Sequence, residues 1–160
     1  MNMKIPRQIA LWLQFNIYLI SLDGYPPISF TGGDNKEIID PDTRWQLAVD
    51  TINRCLVAGL MDVWNEGWMR AVGLENSLAL VNVLAKHDPF NFEVPSENAV
   101  YWLEPLLCST DLCKSFVNKY ELQKFEGDVI CYPFIEEIEK LFETSGVGWR
   151  DCPLIKIRNE

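Results

Sequence analysis

The stretch DVWNEGWMR, from Asp62 to Arg70, sets two carboxylates four residues apart, Asp62 and Glu66, among two tryptophans, Trp64 and Trp68. Residues at that spacing share a face if they lie on one helix. Such a pair could divide acid and base work, or hold a hard cation with help from backbone oxygens. Carboxylate hydrolysis also needs the two groups on opposite sides of a substrate, which spacing alone does not provide, and Asp34 in a glycine-rich loop is the candidate third member. The same nine residues suit a different chemistry. Tryptophan and arginine are enriched at the energetic centres of protein interfaces, and carboxylates around an apolar anchor match a basic partner. On a helix, Trp64 and Trp68 would also fall on one side and could simply close a core. Gly67 predicts a turn or helix end, so the segment reads as part core and part rim of a partner site.

The rest of the chain offers little to a catalyst. His87 is the sole histidine, so any imidazole base for a hydroxyl or thiol nucleophile must be this one. Its place at the end of an expected helix suits a capping role, where the helix dipole favours a cation. Gly32-Gly33 belongs to neither GxxxxGK[ST] nor GxGxxG, which leaves nucleotide binding without support. Five cysteines, Cys55, Cys108, Cys113, Cys131 and Cys152, include no CxxC pair, so zinc ligation is poorly supplied and free thiols in a reducing cytoplasm are expected. No cofactor or metal is called for. Glu136, Glu137, Glu139 and Glu143 form an acidic run broken by Lys140, which is either a solvated face or a docking surface for a basic protein.

These residues must be positioned by elements that the sequence announces. Pro6 opens a first helix that is apolar nearly all round to about Ile20. The run from Ile9 to Leu22 follows Lys4 and Arg7 as a signal peptide's core would, yet Gln14 and Asn16 interrupt it and it is short for a bilayer span. A buried helix is the better reading. Tyr25 to Asn35, with its double proline and double glycine, reads as an ordered loop and a first candidate surface. Asp40-Pro41 caps a helix carrying Trp45, Ala48, Ile52, Cys55 and Leu56, expected to run on towards Trp64.

Further helices are expected from about Asn76 to His87, from Ser96 with a kink or break at Pro105, from Asp111 to Gln123, and from Pro133 to Gly146. Phe90 to Pro95 reads as an aromatic connection. DVICY, Asp128 to Tyr132, is a small strand or an extended linker, and PLIKIR, Pro153 to Arg158, is a short strand or a packed tail. The expectation is a single domain over residues 1–160, mainly α, a bundle of about five to six helices, with one short strand pair near the C-terminus.

At 160 residues with 48% hydrophobic content the chain can bury a real core. A net charge of −9 argues against nucleic acid or an anionic membrane as partner. In its acidic balance, the EEIEK run at Glu136 to Lys140 and the cluster at Asp62 to Trp68, the chain resembles the immunity proteins of bacterial polymorphic toxin systems, including contact-dependent growth inhibition. That resemblance implies a cytoplasmic, non-enzymatic protein that neutralises a cognate toxin domain, often a basic nuclease, in a tight complex. Asp62, Trp64, Glu66, Trp68, Glu136, Glu137, Glu139 and Glu143 are then the partner-binding candidates. Two other classes stay open, a carboxylate-dependent hydrolase around Asp62 and Glu66 and a helical adaptor with an apolar groove. Monomer and dimer are equally compatible with the sequence.

Overall fold

The structure is a computed structural model that describes residues 3–32, 40–64, 66–92 and 96–158, Glu66 by its backbone alone. Helix α1, Arg7–Leu22, starts at Pro6 and buries Ala10, Trp12, Leu13, Ile17 and Ile20. Its polar interruptions are satisfied inside the protein. Gln14 Oε1 accepts the Cys131 N–H at 2.8 Å while its Nε2 donates to the Val129 carbonyl at 3.0 Å. This explains why DVICY is an extended linker: its backbone groups are met by a glutamine side chain rather than by a neighbouring strand. Among the described residues no helix is long and apolar enough to cross a membrane.

The Tyr25 to Asn35 stretch is more structured than its prolines suggest. Pro27–Thr31 forms a 3-10 helix that buries Phe30, and Trp12 Nε1 donates to the Gly32 carbonyl at 2.9 Å. Asp34 lies outside the described residues.

Helix α2, Pro41–Val57, is capped by Asp40, whose carboxylate accepts the Thr43 N–H at 3.1 Å. It does not continue towards Trp64. Gly59 takes a left-handed conformation with φ of 79°, and the Leu60 N–H reaches back to the Cys55 carbonyl at 2.9 Å. That pattern closes a helix and redirects the chain. Residues after the turn form strand β1, Met61–Trp64.

The chain then makes α3, Glu66–Ala71, α4, Ser77–Leu84, and α5, Glu97–Leu103, before β2, Leu106–Ser109, pairs antiparallel with β1. The break at Pro105 is therefore an end: α5 stops at Leu103 and the chain extends. Asn76, Ser96 and Thr110 cap α4, α5 and the following helix α6, Asp111–Lys119, each accepting the N–H three residues on. After a 3-10 turn at Leu122–Lys124, α7 runs over Tyr132–Thr144 with Pro133 in its first turn.

The described residues are mainly α, 58% helical, with a small two-stranded antiparallel sheet. Seven α-helices are present among the described residues, one more than the five to six expected, because six-residue α3 is too short to display a helical period. The strand pair lies in mid-chain, and PLIKIR is a packed tail. Trp45, Trp102, Phe30, Phe134 and Phe142 are the largest fully buried side chains, each contributing roughly 1.5–3 kcal/mol of apolar transfer free energy. The core indoles have acceptors, Trp12 on the Gly32 carbonyl, Trp45 on the Leu84 carbonyl and Trp102 on the His87 carbonyl.

Candidate partner-binding surface

The strand geometry decides which parts of DVWNEGWMR face water. Side chains alternate along β1, so Met61 and Val63 are buried while Asp62 and Trp64 point outward. Because Asp62 and Trp64 lie on strand β1 while Glu66 and Trp68 lie on helix α3, Trp64 and Trp68 do not share a helix face, and neither do Asp62 and Glu66. Trp64 is 61% exposed and stands opposite Leu106, itself exposed, while Asp62 stands opposite Cys108. Gly24 lies against this outer face, so close that a methyl there would sit 3.3 Å from Cys108 Sγ. Burial, then the charges of Asp23 and Asp62, push the Cys108 thiol up from its ordinary value. The outer sheet face thus carries an exposed aromatic–aliphatic pair beside two carboxylates.

Trp68 does something else. It is half-buried on α3, meets Tyr101 of α5 edge-on with ring centroids 6.4 Å apart, and its Nε1 faces Glu104 Oε1 at 3.4 Å. Met69 is buried behind it. His87 stacks on the same Tyr101 at 4.9 Å and shares a 2.8 Å hydrogen bond with Asn98. α4 ends at Leu84 with Ala85 as its C-cap, short of the expected end at His87, so the imidazole ties the segment beyond α4 to α5 rather than capping the helix. The segment is part core and part surface. The Glu66 side chain lies outside what is described, so the proposed pairing of Asp62 with Glu66 has no described geometry.

Helix α7 presents its glutamates differently from a free acidic patch. Glu139 accepts the backbone N–H groups of Lys4 and Ile5 at 2.8 and 2.9 Å. Glu143 pairs with Lys4 Nζ at 2.8 Å, and that hydrogen bond, with the ammonium's charge, holds its carboxyl below the ordinary range. Glu137 meets Lys119 at 3.1 Å and also the Tyr120 hydroxyl. Glu136 faces Lys140 at 3.8 Å. Each carboxylate has an internal cation or donor, so the run fastens the N-terminal segment and α6 to α7. A cleft of about 400 Å³ remains between Lys4, Glu139, Glu143 and Trp149.

One polar cluster escapes the sequence reading. Asp50 and Arg54, a turn apart on α2, are nearly fully buried. Asp50 accepts the N–H groups of Leu154 and Ile155 at distances of 3.0 to 3.2 Å and the Gln46 amide at 3.1 Å. Gln46 in turn donates to the Ile155 carbonyl and accepts the Ile157 N–H. Arg54 donates to the Val147 and Gly148 carbonyls and lies 5.0 Å from the Trp149 ring centre. Burial raises the Asp50 carboxyl above its ordinary value, against the lowering effect of Ile155 and Leu154 N–H groups, Arg54 and Gln46. A cleft of about 370 Å³ opens beside this clip. Its bonds join α2 to the chain after α7, which makes it a fastening. The signal available in the sequence was Asp50 and Arg54 at helical spacing, next to Val49 and Ile52.

No family model, curated protein or solved structure matches the chain.

Proposed function

We propose that the chain is a binding protein for a basic protein partner, and that it neutralises a toxin domain by forming a tight complex, as its resemblance to immunity proteins implies. The observation that carries the reading is the outer sheet face: Trp64, 61% exposed, beside Leu106 and Asp62. A rigid aromatic ring with an apolar neighbour is the kind of anchor that dominates binding energy, and nearby carboxylates select a cationic surface. The net charge of −9 raises the encounter rate with such a partner. Because the α7 glutamates already have internal partners, they serve as long-range field more than as contacts. The reading gives the chain no catalytic step and puts complex formation in a reducing cytoplasm, in keeping with its five free cysteines.

The test is to purify the tagged chain with the protein encoded immediately upstream and assay that protein's toxicity. Stoichiometric retention in moderate salt, loss of toxicity, and weakening of the complex by Trp64→Ala are expected. If the two proteins neither bind nor affect one another at micromolar concentration, the reading is wrong.

A further inference from the structure

The backbone of β1 shows which of its edges is open. Leu107 spends both its main-chain groups on Tyr25: the Tyr25 N–H donates to the Leu107 carbonyl at 3.0 Å and the Leu107 N–H donates to the Tyr25 carbonyl at 2.7 Å. In an antiparallel ladder the groups of directly opposed residues point alternately towards and away from each other. Leu107 faces Val63 in the register, so Val63, like Leu107, turns its N–H and C=O away from the β1–β2 seam. The bond from Thr110 N–H to the Leu60 carbonyl at 3.2 Å fixes the same alternation one register step past the strand end. Met61 and Val63 therefore aim their main-chain groups at the outer edge. Among the described residues the only acceptor there is the neighbouring carboxylate, Asp62 Oδ1, which takes the Val63 N–H at 2.8 Å.

Among the described residues that edge opens onto a cleft. A cleft of about 370 Å³ runs beside it, with Asp62 and Val63 on one wall and Met69, Arg70, Leu74 and Glu75 among the residues of the other. An edge with unpaired groups is a template for another strand. Natural edges are often blunted by a charge, and Asp62 here blunts the Val63 donor.

We infer that the outer edge of β1 accepts an extended, cationic segment of the protein partner as an added strand, with Asp62 as the gate that the segment displaces. A partner carbonyl takes the Val63 N–H, and the released Asp62 carboxylate meets a lysine or arginine on the incoming strand. Main-chain pairing gives affinity in this mode, and side-chain pockets on alternate residues give selectivity. Charge favours such an occupant: Asp62 and Glu75 outnumber Arg70 in the cleft. It disfavours a second copy of this chain, since pairing two edges would bring together two molecules of net charge −9. The inference rests on the reading of the chain as a protein-binding module and deepens it.

The probe is a synthetic, end-capped peptide of alternating lysine and valine, KVKVKVKV, titrated into the isotope-labelled full chain and followed by amide NMR. Two further versions carry N-methyl groups on the odd or on the even residues. In an added strand only one of these sets faces β1, so one methylated peptide must lose about tenfold or more in affinity while the other binds as the parent does. Saturable shifts at residues 61–64 and 69–77, and weaker binding to Asp62→Lys with an unchanged melting temperature, complete the expected result. Equal binding of both methylated peptides, shifts confined to other surfaces, or no saturation at millimolar peptide overturns the inference. So does a dimer whose Met61 and Val63 amides are protected without peptide. A chain that neutralises its upstream-encoded protein yet ignores these peptides loses the edge proposal alone. Peptides bound at the edge by a chain that neutralises nothing leave the edge and remove the toxin reading.

Discussion

Replacing Asp50 with alanine should unfasten the tail, and the size of the effect follows from the bonds it makes. The carboxylate receives two main-chain N–H groups, Leu154 and Ile155, and the Gln46 amide, at 3.0 to 3.2 Å. Leaving a buried donor without its acceptor costs about 1–3 kcal/mol. Two orphaned main-chain donors set an upper range of roughly 2–6 kcal/mol by the same measure. Two effects reduce it. The tail beyond Pro153 can lift and rehydrate its amides, and removal of a buried carboxylate relieves the burial that raises its pKa. Arg54 still holds Val147 and Gly148, so the detachment stops there. A net loss of about 2–4 kcal/mol is expected, which lowers the melting temperature of a domain this size by roughly 5–15 °C. Chemical denaturation gives the free energy, and hydrogen exchange at Leu154, Ile155 and Ile157 gives the location. A loss below about 1 kcal/mol with those three amides still protected would refute the account of the clip as a fastening.

The pH dependence of the same group has a definite sign. With its folded pKa above the unfolded value, Asp50 binds its proton more tightly in the native state, so its contribution is greatest below the unfolded pKa and declines as pH rises through the folded one. Stability of the wild type relative to Asp50→Asn, measured by denaturation between acid and neutral pH, should fall as pH increases. Gly59→Ala should cost about 1–2 kcal/mol by equilibrium unfolding, from backbone strain alone, since the added methyl would find only Leu112 Cδ2, 4.0 Å away. Native-state thiol labelling followed by mass spectrometry should modify Cys152 first and Cys108 slowly, while Cys55, Cys113 and Cys131 react only after unfolding. Burial pushes the Cys113 thiol up to about 11, which deepens its inertness. Trp64→Phe should leave stability within about 0.5 kcal/mol while removing the indole most accessible to acrylamide, read as a drop in the quenchable fluorescence fraction.

The caps at Asp40 and Ser96 were legible, each a short polar side chain before an apolar period, whereas Asn76 was legible only as an approximate helix start and Thr110 emerged as a cap from the structure. The mainly helical class was legible too, because apolar residues recur at three and four along α2 and α7. The path of 58–71 was not, since helix spacing and strand alternation coincide over so few residues. Gly59 rather than Gly67 was the decisive punctuation, and a lone glycine does not state its φ. The glutamates of α7 were visible as charge, but their partners Lys4 and Lys119 are remote in sequence, so the internal pairing of this face was not legible. Trp64 on the surface and Trp68 half inside illustrate the remaining gap: two identical side chains, four positions apart, belong to a strand and to a helix, a change of element that no periodicity registers.

The clip between α2 and the tail also sets a clock. Asp50 meets its main-chain donors only when residues 104 positions later arrive. At about 5–20 residues per second of synthesis, that is roughly 5–20 seconds in which a carboxylate destined for burial waits in water. Through that interval α2 carries Asp50 and Arg54 as hydrated charges on a face that will later be covered. The same two charged side chains that fasten the finished molecule keep this face of the growing one hydrated, and its burial waits for the last part of synthesis.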